Sequence, residues 1–97
     1  MAMANTKVER LWAKRANGKD APDSAKGSTV FYDEDTIYSY GYHFRIGHIN
    51  RDPDGNVTHV LMNNSGYSRT TAKHKSQTRY ALAMEAPSVE VVYTNGL

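Results

Sequence analysis

The chain has 97 residues, 39% apolar and 23% charged, with a formal net charge of +2 and a mean hydropathy of −0.68. That length fits one domain, 1–97, around one core. The absence of cysteine excludes a disulfide framework, a zinc–thiolate site and a cysteine nucleophile.

The first element expected is a helix over 6–16. Thr6 and Glu9 have the spacing of a capping box, in which hydroxyl and carboxylate each satisfy an N–H at the helix end. Val8, Leu11 and Trp12 form one apolar stripe, and Asn17-Gly18 supplies a stop. Residues 17–28 contain no large apolar side chain and read as a flexible linker or long surface loop. A sheet-plus-helix body over 29–93 follows. Residues 29–32 and 36–40 are rich in β-formers and flank Asp33-Glu34-Asp35 as a three-residue hairpin loop. In 42–50, Tyr42, Phe44, Ile46 and His48 alternate with His43, Arg45, Gly47 and Ile49. Asp52-Pro53-Asp54-Gly55 is a turn signal joining that strand to 56–62, with His48 facing His59 across the hairpin.

Residues 67–69 read as a short strand. A second helix starts at Thr70 or Thr71 and runs to Glu85, with Ala72, Ser76, Tyr80, Ala83 and Met84 on one face and Pro87 beyond its end. Residues 88–93 form a last strand. The fold class expected is α+β: a mainly antiparallel sheet of four to six strands with an N-terminal helix and a helix near 71–85.

Charge is segregated along the chain. Residues 1–27 carry six cations against three acids, 28–56 five acids against two cations, and 57–80 four cations and no acid. The last block holds the most informative segment. A helix start offers unpaired N–H groups and a positive partial charge, so first turns favour acids. Here Arg69, Thr70, Thr71, Lys73, His74, Lys75 and Arg79 surround that end. A bound anion, a nucleic-acid or nucleotide phosphate, would offset the cations and accept from the amides and hydroxyls.

Seven tyrosines are the second unusual feature. Tyr38, Tyr40 and Tyr42 fall on one face of an extended strand at period two and, with Arg45 near, are candidate stacking groups for exposed bases. The alternative is that ring faces fill the core while the hydroxyls reach its edge. Histidines 43, 48, 59 and 74 lack metal-ligand spacing, and no cofactor fingerprint, Walker loop or nucleophile elbow is present. No metal or cofactor is therefore expected. His74 beside Tyr67, Ser68 and Lys73 would allow acid–base chemistry on a phosphodiester without metal. No apolar run exceeds the five residues from Tyr80 to Met84, and the N-terminus lacks a secretory apolar stretch. A cytoplasmic location without a membrane partner is expected.

The stretches Ile37-Tyr-Ser-Tyr-Gly-Tyr-His-Phe-Arg-Ile46 and Tyr67-Ser-Arg-Thr-Thr-Ala-Lys-His-Lys-Ser76 resemble a set of small uncharacterised proteins from bacteriophages and environmental sequences. The similarity reaches back to Leu11-Trp12-Ala13 and covers roughly residues 8–82, with Arg45 standing where the set has a small residue or proline. The resemblance implies a viral or mobile-element context, hence the host cytoplasm, and transfers no catalytic residue.

The function expected is thus a small non-enzymatic phage-type protein engaging nucleic acid through the basic helix start. Two alternatives accompany it: a protein that blocks a host enzyme or anti-phage defence complex, as an anti-CRISPR does, and a small metal-independent nuclease using His74. A free edge strand would also permit a homodimer by sheet extension.

Overall fold

The computed structural model describes residues 3–40, 44–65, 69–95 and 97. In chain order they form α1 (Asn5–Ala16), β1 (Ser24–Lys26), β2 (Val30–Asp33), β3 (Thr36–Ser39), β4 (Phe44–Arg51), β5 (Val57–Asn63), α2 (Arg69–Glu85) and β6 (Val91–Thr94). The strands lie in the sheet in that same order. Every neighbouring pair is antiparallel except β5 and β6, which run parallel because α2 carries the chain back. The fold is α+β. No helix among the described residues is long and apolar enough to cross a membrane.

Helix α1 begins at Asn5, one residue before the expected range and two before a start capped by Thr6. Its N-cap is Ala4, with no side-chain cap, and Glu9 is buried instead of reaching back. Asn5 fixes the start from outside: its Oδ1 accepts from the amides of Thr29 and Val30 at 3.2 and 3.1 Å. The stop is as the sequence implies. Gly18 N donates to Arg15 O and Lys19 N to Lys14 O, the paired bonds that close a helix over its last carbonyls.

The stretch read as a linker or loop, 17–28, contains β1, which pairs with β2 through Ser24, Ala25 and Lys26. Backbone hydrogen bonding holds it there with little apolar side-chain signal. The next hairpin is one residue tighter than expected. Asp33 pairs with Thr36, so the turn is Glu34-Asp35, with Glu34 at φ 54°.

In β4 the register against β3 shifts between Tyr38↔Arg45 and Ile37↔Gly47, making Ile46 an extra residue. The bulge breaks the simple alternation: Phe44, Ile46, Gly47 and Ile49 are all buried, whereas His48 pairs with Thr36 on the other face. In the next hairpin His48 lies opposite Leu61 and His59 opposite Asn50, so the two histidines do not face each other. The turn sets that register. Gly55 N donates to Asp52 O, Asp52 N to Asn56 O, and Gly55 takes φ 89°.

Both helices pack on one face of the sheet, over a core that includes Val8, Trp12, Tyr32, Ile37, Ile46, Ile49, Val60, Met62 and Leu82. Trp12 is fully buried and its Nε1 donates to Asp35 O at 3.0 Å. Its ring lies over Gly47, where an added Cβ would come within 2.9 Å of Trp12 Cη2 and 3.0 Å of Met62 Sδ. The fully buried Tyr32 fills core space while its hydroxyl donates to Pro22 O at 2.6 Å. Asp35 accepts from Arg15 and from both Nε and Nη2 of Arg51, at 2.9–3.1 Å. Burial alone would raise its pKa, but the hydrogen bonds and charges of Arg51 and Arg15 outweigh that and hold it below the usual range.

Gly47→Ala is expected to destabilise the fold by about 1–3 kcal/mol, the usual effect of overpacking. Urea unfolding checks this; an unchanged midpoint and slope would mean that the Trp12 contact yields freely.

Candidate functional site

The start of α2 falls at Arg69, and the helix ends at Glu85 as expected. The side chains of Arg69 and Thr70 lie outside the described residues, as do Tyr42, His43, Tyr67 and Ser68; of the strand expected at 67–69 only Arg69 is described, and it opens the helix instead. The other residues expected there divide into three groups. Thr71 and His74 face inward: both are buried, and Ser39 Oγ lies 3.3 Å from Thr71 Oγ1 and 2.8 Å from His74 Nδ1. Lys73 is exposed on one flank. Lys75 and Arg79 share the other, because two residues on a helix turn it through about 200°. Lys75 Nζ donates to Ser65 O at 2.9 Å, and Arg79 Nη2 to Ser76 Oγ at 3.4 Å. The described cations therefore do not converge on one anion.

His74 belongs to an internal polar chain. Its Nε2 lies 3.4 Å from Thr29 Oγ1, which accepts from Asn5 Nδ2 at 2.8 Å. The chain ties the starts of α1, β2 and α2 to the end of β3. Burial, then the neighbouring Lys73 charge, lowers the His74 pKa and keeps the ring neutral near pH 7. With both ring nitrogens next to hydroxyls and the residue 4% exposed, His74 is placed to hold structure, not to meet a phosphodiester.

The tyrosines also separate. Strand β3 ends at Ser39, and Tyr40 takes φ 58°, which turns it out of the strand. Its ring lies 6.0 Å from that of His74 and lines a cavity of about 610 Å³ beside β1. Tyr38 remains on the helix-free face, stacked on Phe31 with ring centroids 5.0 Å apart and planes 17° from parallel. No three metal-ligating side chains cluster among the described residues. His48 Nδ1 instead lies 2.8 Å from Thr36 Oγ1, and His59 Nδ1 lies 3.0 Å from Thr58 Oγ1.

The Phe31–Tyr38 stack sits in a row crossing four strands. The register places Lys26 beside Phe31, Phe31 beside Tyr38, and Tyr38 beside Arg45. Val30, Tyr32, Ile37 and Ser39, their strand neighbours, are buried, so period two puts the row on the face away from the helices. Lys26 and Arg45 are exposed and the two rings half-buried. Sequence reasoning reached Tyr38 and Arg45 but missed Lys26 and Phe31. The signal was the Glu34-Asp35 turn: closing the hairpin there, not around three residues, brings Phe31 opposite Tyr38.

One further group was hidden by a plausible motif. Glu9 is 1% exposed, and its Oε2 has no hydrogen-bond partner among the described residues. Burial raises its pKa to about 7. No protein family, curated protein or solved structure matches the chain.

The shifted groups predict opposite pH effects. Glu9 binds a proton more tightly folded than unfolded, so its contribution is full below its ordinary value of 4.5 and is lost as pH rises through about 7. Glu9→Gln should therefore stabilise the protein at pH 8, by roughly 2 kcal/mol, and make little difference at pH 4.5. The depressed His74 pKa acts the other way: stability present above 6.5 is lost as pH falls through the lower folded value. Urea melts at several pH values check both; a Gln variant that tracks the parent protein across pH 5–8 would contradict the Glu9 assignment.

Proposed function

We propose that the protein is a non-enzymatic binder of single-stranded nucleic acid and that the ligand lies across the helix-free sheet face. The observation that carries this is the row Lys26–Phe31–Tyr38–Arg45, two stacked rings with a cation at each end. Adjacent strands are about 4.8 Å apart, so the row spans roughly 14 Å, a few nucleotides' worth of contact. A nucleobase, which always has a π-face, would meet the solvent-facing part of this aromatic pair, while Lys26 and Arg45 neutralise flanking phosphates. Duplex is disfavoured because its bases are already stacked and paired. The reading keeps the class of partner expected from the sequence and moves its site from the start of α2 to the sheet.

Arg51, Arg15 and Arg10 contribute little, being held by Asp35, by Asp35 and Asp23, and by Glu85. Lys26 and Arg45 have no such ion pair among the described residues. Asp33, also exposed, stands two residues from Phe31 on the same face.

Fluorescence anisotropy with short single-stranded DNA and RNA tests this. Tyr38→Ala should weaken binding by about 1–3 kcal/mol. Lys26→Ala with Arg45→Ala should lower the log–log salt slope by about 1.4, or 0.7 for each cation. Lys73→Ala with Lys75→Ala is the comparison: if that pair carries the loss and the sheet variants bind normally, the ligand sits at α2. Capture of a host protein that survives nuclease treatment, with no binding to any oligonucleotide, would favour the protein-blocking alternative.

A further inference from the structure

Helix α2 is turned against its own apolar stripe. It buries Thr71, His74, Thr78, Ala81 and Leu82, and exposes Ala72, Ser76, Ala83, Tyr80 (68%) and Met84 (59%). Between Tyr80 and Met84 on α2 and the facing side of α1 runs a groove of about 570 Å³, lined also by Thr6, Gln77, Ala81 and Glu9. The volume lies within the range of small-molecule sites, and the mixture of apolar walls with a few polar groups is their usual composition.

Glu9 gives the groove a chemical preference. Its Oε2 is sealed from water and unpartnered among the described residues, a costly state for a carboxyl unless a donor arrives. The nearest candidate on the same helix is committed elsewhere: Arg10 also lines the groove, but its Nε and Nη2 donate to Glu85 Oε2 at 3.3 and 3.1 Å. A lone carboxyl is too few ligands for a metal ion, and the walls are largely apolar. We propose that the α1–α2 groove is a binding site for a small organic cation, an amine or guanidine on an apolar body, with Glu9 as its acceptor. Tyr80 offers a ring face to the cation and Met84 a pliant apolar wall. Entry requires a rotamer change in the lining, for which the unbranched Gln77 and Met84 are suited. The site shares no residue with the sheet-face row, so the two readings stand or fall separately.

The test is an NMR titration with phenethylamine and with its neutral counterpart, phenethyl alcohol, followed at the Met84 methyl and Tyr80 ring signals. The amine should saturate and bind about ten-fold more tightly than the alcohol, the contribution of one charge-assisted hydrogen bond. Glu9→Gln should abolish that preference. Tyr80→Ala and Met84→Ala, at exposed positions that leave the core intact, should each weaken the amine several-fold. Equal binding of amine and alcohol to the unmodified protein, no saturation by the amine, or an amine preference that survives Glu9→Gln would each overturn the proposal. The comparison of amine with alcohol and the two exposed-site variants decide it even if Glu9→Gln does not fold.

Discussion

The seating of Trp12 on Gly47 is the constraint on which the rest of the molecule depends. Even a Cβ at position 47 would press on the indole and on Met62 Sδ, next to the ring whose N–H donates to Asp35 O. With the indole in place, α1 lies across β1 and β2, and its last turn delivers Arg15 to Asp35. Helix α2 then packs against α1, on the same side of the sheet. Two helices on one face leave the other to serve a different purpose. The functional reading follows from that asymmetry more than from any motif.

The second organising feature is polar. Where a helix of this length would ordinarily bury leucines, α2 buries Thr71, His74 and Thr78. Thr78 Oγ1 bonds back to His74 O at 2.7 Å, and His74 reaches both Ser39 and Thr29. Such a network specifies how the elements meet, because each buried polar group must find its partner. It also explains why residues that look like a phosphate cradle in the sequence serve the interior. Hydroxyls and an imidazole suit an anion, but they equally suit one another.

Much of the fold was legible from the residues. Turn chemistry at Asp52–Gly55 and the Asn17-Gly18 stop act locally, and the elements they bound came out close to expectation; α2 instead starts at Arg69, which puts Thr70 and Thr71 inside the helix and not at its cap. What was not legible depended on contacts distant in sequence. Strand β1 carries no apolar pattern and exists through its pairing with β2. The bulge at Ile46 inverts the alternation of β4 from Gly47 onward, so His48 faces outward. Glu9 fitted a capping box, yet it also lies on the Val8–Trp12 stripe, and burial decided between them. The face of α2 was read inverted, because its most apolar stripe is not the one buried. For the candidate site, the stacking tyrosine and arginine could be named from spacing, but their alignment with Phe31 and Lys26 needed the two-residue turn at Glu34-Asp35.

A ligand on the helix-free sheet face would leave its footprint there, and mapping that footprint is the most direct test. Backbone amide and side-chain NMR shifts should be mapped while a short single-stranded oligonucleotide is added to the full chain. The account predicts saturable shifts centred on Lys26, Phe31, Tyr38 and Arg45, fading toward β6 and leaving Lys73 and Arg79 unmoved. Shifts confined to α2, or none at all at low salt, would contradict it.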